Sequence, residues 1–295
     1  MASSFQRRNL RFTFKLATGT FTEEGSPDTL VFDGFRASAD IDAPGGYEFS
    51  TCRVRLYGLD RLVMERLTVI NYQNLDFMRN SILIEATDDD GQFTSIFFGE
   101  IYIAQQDYAG VPDVAFVVEA RSGLIGSLAP AAANSYPGPQ KVSAIMSRLA
   151  KELGVALEDN GVTSTVTDTY LTGSPLKKVQ TLAQAAHIQF WYLPEQGVLA
   201  IAPMGVARNS EAVLVDFTNG LVGWPQKTHV GIMYTAQFNA AIFHGRKILM
   251  EQEVSSCNGE WYIVSMSHRL ESEMPGGAWF TFFVATPQNT TIRSR

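Results

Sequence analysis

The densest carboxylate run in the chain is Asp88-Asp89-Asp90-Gly91. A calcium loop places oxygen ligands at alternating positions and closes on a glutamate at its twelfth residue. Counted from Asp88, the twelfth residue is Gly99 and Glu100 comes one place late, so the run reads as a turn. The four histidines, His187, His229, His244 and His268, form no His-x-x-x-His or His-Glu-x-x-His pair, the spacing that sets two imidazoles on one helix face. His268 falls on a predicted strand. His187 ends a predicted helix, where an imidazolium favours the dipole without any further role. Cys52 and Cys257 are far apart and belong to no Cys-x-x-Cys pair, which leaves no disulfide framework and no thiolate zinc site. Both lie on or beside strand-like runs and read as small, buried hydrophobes.

Other chemistries lack their signatures. There is no Gly-x-Ser-x-Gly elbow, no glycine-rich phosphate loop and no dinucleotide fingerprint. A lysozyme-type hydrolase needs two carboxylates in contrasting environments across a cleft. Thirty acidic residues provide candidates, but no pair is singled out. Trp191, Tyr192, Trp224, Trp261 and Trp279 could stack on sugars. Trp261 and Trp279 fall on adjacent predicted strands, where cross-strand aromatic packing is expected in any case. The sequence thus nominates no catalytic, cofactor-binding or metal-ligating residue, and the expectation is a protein that is not an enzyme.

The composition is that of a globular chain long enough for two or three packed domains. It has 295 residues, 45% of them apolar, at ~100–200 residues per domain. Charged residues reach only 18%, against roughly 25% in ordinary domains. Uncharged polar outer faces of sheets would account for this, and so would subunit interfaces, where charge is depleted. A net charge of −7 argues against a protein that grips nucleic acid through phosphate neutralisation, but it is compatible with an acidic conduit. The segment MASSFQRRNLRFTFKL carries no apolar stretch of signal-peptide length. Nowhere do 18 apolar residues run together, so no membrane helix and cytoplasmic synthesis are expected.

The elements that would position any site are mostly strands. Leu10, Phe12, Phe14 and Leu16 alternate with Arg11, Thr13 and Lys15, the period of a half-buried strand. The alternation returns at Cys52, Val54 and Leu56, and at Val114, Phe116 and Val118. Turn clusters separate the runs: Ala43-Pro44-Gly45-Gly46, Asp89-Asp90-Gly91 and Ala109-Gly110. Asp90-Gly91 between strand-like 81–87 and 92–103 signals a hairpin. The spacing over 1–124 predicts a β-barrel domain. From Leu128 to Gln140 the chain reads as a linker. Two helices then follow in an α+β module over 125–209. In the first, Pro139 stands in the opening turn, Val142, Ile145, Met146, Leu149 and Leu153 form the stripe, and Gly154 is the cap. In the second, Ser174 caps, Pro175 starts the helix, and Leu176, Val179, Leu182, Ala183 and Ala186 are buried. Strands Ile188–Leu193 and Val198–Ala202 flank the turn Pro194-Glu195-Gln196-Gly197. Residues 210–295 form a second barrel domain that ends in a meander, with a tight turn at Asn258-Gly259 between Lys247–Val254 and Glu260–His268, and Pro275-Gly276-Gly277 leading into Ala278–Ala285. The last residues, 287–295, read as a polar tail. The fold class is mainly β with a small α+β module, as two β-barrel domains flanking a helix-containing middle domain.

Two stretches resemble a known family. SPLKKVQTLAQAAHIQFWYLPEQGVLAIAP, from Ser174 to Pro203, is similar to the central module of bacteriophage tail baseplate hub proteins, also called late control or tail hub proteins. Asn258-Gly259-Glu260-Trp261-Tyr262-Ile263-Val264, with Ser267-His268 and Trp279-Phe280-Thr281, resembles the C-terminal barrel meander of the same family. The N-terminal region matches in texture. The base of type VI secretion spikes is built on a related plan.

The resemblance implies a structural subunit that forms a homotrimeric ring in a phage virion. Three chains would supply six similar barrels around a channel, joining a six-fold tail tube to a three-fold spike. The implied partners are further copies of the chain, the tail tube protein, the tail spike or puncturing protein and other baseplate proteins, with DNA passing through unbound. The alternatives from other classes are a tail-associated cell-wall hydrolase and a carbohydrate-binding tail or adhesion module, the latter with Trp191 and Trp224 as the aromatics to test.

Overall fold

The computed structural model describes residues 8–21, 27–68, 80–88, 91–253 and 255–288. The chain is mainly β. The first region comprises strands β1 (Leu10–Lys15), β2 (Thr29–Asp33), β3 (Ala37–Ala43) and β4 (Thr51–Tyr57), helix α1 (Arg61–Leu67), then β5 (Ser81–Thr87), β6 (Phe93–Asp107), β7 (Ala115–Arg121) and the short helix α2 (Leu124–Leu128). The period-2 pattern sets the faces: Leu10, Phe12 and Phe14 are fully buried while Arg11 and Thr13 point outward. β5 and β6 form the hairpin expected around Asp90-Gly91. Asp88 Oδ1 accepts from the Gln92 amide at 2.8 Å, and the Gly91 amide donates to the Asp88 carbonyl at 3.0 Å. Asp89 and Asp90 lie outside the described residues. Helix α1 was not legible as such among so many strands. Asp60 caps it by accepting from the Leu62 amide at 2.8 Å, and Met64 and Leu67 are buried beneath it.

The middle region holds β8 (Asn134–Lys141), α3 (Val142–Glu152), β9 (Ala156–Asp159), β10 (Thr165–Leu171), α4 (Pro175–Ala185), β11 (Ile188–Leu193), a 3-10 turn (Pro194–Gln196) and β12 (Val198–Pro203). The latter part of the supposed linker is a strand, β8, paired with β10. Pro139 therefore sits on that strand and not in the first turn of α3, a position open to proline because this two-stranded sheet has free edges. The expected stripes of both helices are buried, apart from Leu153 and Ala186, which are half-buried. The end of α3 is a Schellman motif: the Gly154 amide donates to Lys151 O and the Val155 amide to Ala150 O, with Gly154 at φ +73°. Ser174 Oγ accepts from the Lys177 amide at the start of α4. His187 falls two residues beyond α4, exposed and at φ +51°, and so not in its last turn. Lys178 is fully buried, its ammonium bonded to Ala132 O at 2.7 Å, Asn134 Oδ1 and Glu152.

The last region contains β13 (Val213–Val215), β14 (Leu221–Thr228), β15 (Gly231–Gln237), β16 (Lys247–Met250), β17 (Gly259–Ser272) and β18 (Trp279–Pro287). β16, β17 and β18 form the expected antiparallel meander. Its first connection is not a two-residue turn, however. β16 ends at Met250, and a 3-10 turn at Ser255–Cys257 intervenes. The Asn258 side chain closes the loop, accepting from the Gln252 amide at 2.9 Å and donating to Gln252 O at 2.8 Å.

β17 also pairs with β3, from Met266↔Ala43 to Ser272↔Ala37. First and last regions thus share one 13-stranded sheet among the described residues, in the order β14-β15-β18-β17-β3-β4-β7-β6-β5-β1-β2, with β16 on β17 and β13 parallel to β16. The long strand β17 serves two cores. Its Trp261 and Ile263 join Phe283, Ile232 and Ile248 in one, while Leu270 joins Phe12, Val54 and Phe116 in the other. β1 also comes back against β17, so the sheet curls round the larger core. A third core lies between α3, α4 and the β11–β12–β9 sheet, and the loop after β3 inserts Phe49 into it.

Candidate functional site

Between the first and last regions, against the 3-10 turn of the middle region, lies a cavity of about 270 Å³. β3 contributes Ile41 and Ala43, β6 contributes Thr94 to Phe97, and β17 contributes Met266 and His268. The middle region offers Leu193, Glu195 and Gln196 from the 3-10 turn and its flank, and the loop after β15 offers Phe238, Ala240, Ile242, Phe243 and His244. The cavity is mixed in character, with largely aliphatic and aromatic walls and three titratable groups.

Two of those groups are histidines held neutral. His244 Nε2 donates to Val264 O at 2.7 Å, and burial lowers its pKa to about 4, assisted by the nearby Arg208 charge. His268 Nδ1 lies 2.7 Å from Thr281 Oγ1 on the neighbouring strand, and burial lowers it to about 4 as well. The third is Glu195, half-buried, whose carboxyl is pushed up to about 7 by desolvation. Arg208 is nearby but engaged elsewhere: its Nη2 and Nε lie 2.6 and 2.9 Å from the two oxygens of Glu158, a bidentate grip. That pairing holds the Glu158 carboxyl below its ordinary pKa. None of this provides a nucleophile with an adjacent base. Among the described residues no three His, Cys, Asp or Glu side chains gather as a metal site. Cys52 and Cys257 are buried free thiols, and desolvation raises the Cys52 pKa further, away from reactivity.

The tryptophans separate into three roles. Trp191 is buried and edge-on to His244 at 6.4 Å, so no sugar reaches its face. Trp261 and Trp279 are buried on adjacent strands but at opposite ends of them, paired with Pro287 and Leu270, and so they do not stack on each other. Trp224 alone is open, 55% exposed, with the similarly exposed Phe217 edge-on at 5.1 Å. Val222 and Phe282 are exposed close by, facing Thr235 from either side in the ladder. This apolar patch lies at the β14 end of the sheet.

The family model described as "Baseplate hub gp41" matches residues 50–276, most of the chain. The chain belongs to the baseplate hub gp41 family. Solved structures with the same fold include the 43 kDa tail protein of prophage MuSo2 from Shewanella oneidensis, at TM-score 0.59 and 8% identity over 94% of this chain and 96% of that one. A tail protein from Neisseria meningitidis MC58 gives 0.59 and 10% over the same shares. An E. coli protein, c3393, gives 0.61 and 10% over 96% of this chain and 78% of that one. It is described as a component of the type VI secretion system with structural similarity to T4 tail proteins gp27 and gp5. No curated protein matches by sequence. Membership of the hub family makes the chain a structural component of a phage tail baseplate, not an enzyme. No helix among the described residues is long and apolar enough to cross a membrane.

The baseplate hub chain keeps its polar groups where sequence reasoning had no purchase. Glu195 was visible only as part of a turn, and Arg208 carried no signal at all. Only the tertiary packing of the middle region against the other two gives them their setting.

Proposed function

We propose that this chain assembles as a homotrimeric ring that joins the six-fold tail tube to the three-fold spike and leaves a channel for the genome. The observation that carries the proposal is the sheet itself. One chain wraps two sheet-bounded cores edge to edge through β3 and β17, so three chains present six such bodies. Each would close as a barrel in the assembled ring, with 1–124 and 210–295 as the two barrel units and 125–209 as the module between them.

Among the described residues the sheet has unpaired edges at β2, β13 and β14. Open edges invite pairing, and β14 is protected from simple strand addition by Pro225 and by an irregular register between Val222 and Gln226. The exposed apolar group Phe217, Val222, Trp224 and Phe282 is of the kind that marks an interaction surface. Low charge content fits extensive interfaces, which in obligate assemblies reach ~2,000 Å² or more. The net charge of −7 suits a bore past which DNA slides without binding. The tube protein, the spike and other baseplate proteins would be the partners, with assembly in the host cytoplasm and residence in the virion tail.

The experiment is electron microscopy of the purified protein, alone and with its spike. Three-fold rings with a non-basic bore are expected. A strongly basic bore would refute the conduit argument, and the absence of three-fold rings in both samples would refute the ring.

A further inference from the structure

Glu195 occupies the centre of the 3-10 turn Pro194–Gln196, which Gly197 closes by donating to Pro194 O at 3.0 Å from a left-handed conformation. The turn packs against β6 and brings the carboxylate to the cavity wall. Among the described residues Glu195 receives only its own backbone amide and makes no ion pair. Arg208, the one cation among the described residues whose field reaches it, is already gripped by Glu158 and donates also to Gln196 Oε1 at 3.3 Å. The other titratable groups around it are the neutral His244 and His268 and, from β11, the Tyr192 hydroxyl, whose own pKa burial and nearby carboxylates hold up at about 12. On the cavity wall β6 offers neutral Thr94 and Ser95, and its Glu100, whose carboxyl burial also raises, acts together with Glu195 on the Tyr192 hydroxyl. A desolvated carboxylate facing an apolar space is unfavourable until a counter-charge arrives, and the aliphatic walls at Leu193, Ile242 and Met266 favour an apolar stem. At about 270 Å³ the space lies near the lower end of small-ligand pockets, ~300 Å³.

We propose that this cavity binds an aliphatic cation, an ammonium or guanidinium on a short hydrocarbon stem, with the charge on Glu195 and the stem against the apolar walls. The source is either a free small amine or a lysine or arginine side chain from a partner. The proposal does not rest on the hub assignment.

The test is a saturation-transfer NMR titration of the full chain with n-butylammonium, its neutral counterpart n-butanol, and Nα-acetyl-lysine N-methylamide. n-Butylammonium should bind saturably at pH 8, and about tenfold more weakly at pH 6, since a carboxyl titrating near 7 is largely protonated there. n-Butanol should bind at least about tenfold more weakly than n-butylammonium at pH 8, one charge contact being worth that or more. Glu195→Gln should reduce n-butylammonium to the n-butanol level while keeping the wild-type melting temperature or raising it. Equal binding of the capped lysine assigns the site to a partner side chain. Binding of n-butylammonium alone assigns it to a free amine. Absence of saturable binding, equal binding of n-butanol, or undiminished binding by Glu195→Gln overturns the proposal. Should Glu195→Gln fail to fold, the butylammonium–butanol comparison and its pH dependence on the wild type decide the matter.

Discussion

His244 Nε2 lies 2.7 Å from the carbonyl oxygen of Val264, the residue that the β17–β18 ladder passes over between Ile263 and Ser265. A bulge leaves its extra residue without a ladder partner, and a buried carbonyl must find a donor elsewhere. The imidazole supplies it, which pins the loop after β15 to the middle of β17. Gly45, from the loop after β3, fits against the same oxygen: a Cβ added there would lie 1.9 Å from Val264 O and 3.1 Å from His244 Nε2.

That close approach predicts a contrast between neighbouring glycines. Gly45 and Gly46 both have positive φ, +79° and +68°, but a Cβ on Gly46 would meet nothing within 4 Å. Gly46→Ala should cost about 1 kcal/mol, the left-handed strain alone. Gly45→Ala should cost more than about 3 kcal/mol, because the clash is with backbone. Urea unfolding of the two variants checks this, and equal losses would contradict the packing described.

The cavity groups predict a pH dependence with two opposing parts. His244 and His268 titrate at about 4 in the fold but near their ordinary 6.5 when unfolded. Their contribution is therefore complete above pH 6.5 and lost as the pH falls toward 4. Glu195 is raised to about 7 from 4.5, so its contribution is complete below pH 4.5 and lost as the pH rises through 7. Removing it with Glu195→Gln should steepen the rise in stability between pH 4.5 and 6.5 by up to about 1.4 kcal/mol per pH unit. Parallel stability curves for variant and wild type would show that Glu195 is not desolvated.

Trp261 and Trp279 belong to different cores, and Trp261 also donates its indole N–H to Cys257 O at 2.9 Å. Each change to Ala should cost about 3–5 kcal/mol. The double variant should equal the sum within about 0.5 kcal/mol, as for sites without shared partners. Trp261→Phe should lose mainly the hydrogen bond, about 1 kcal/mol. Normal stability and assembly of both alanine variants would contradict their placement.

How much of this was legible followed the range of the interactions. Helix α4 was visible because Ser174, Pro175 and the stripe from Leu176 to Ala183 are local signals. β8 was not, because Pro137, Gly138 and Pro139 read as linker, and only pairing with β10, about thirty residues on, makes the segment a strand. Asn258-Gly259 carried the signature of a tight turn, yet the side chain of Asn258 organises a longer loop. The alternation in β1 and β4 showed which faces are buried, but no such signal says that Ile41 of β3 pairs with His268 of β17, since period 2 specifies a face and not a partner strand. The site suffers most from this, because its members come from segments as distant as Ile41 and His268.

Light scattering coupled to size exclusion, on the purified chain with and without its spike, tests the ring most directly. A species near three times 32.5 kDa is the expected result, and Trp224→Ser should lower it toward the single-chain mass without loss of thermal stability. A stable monomer at every concentration, unchanged by the spike, would contradict the account.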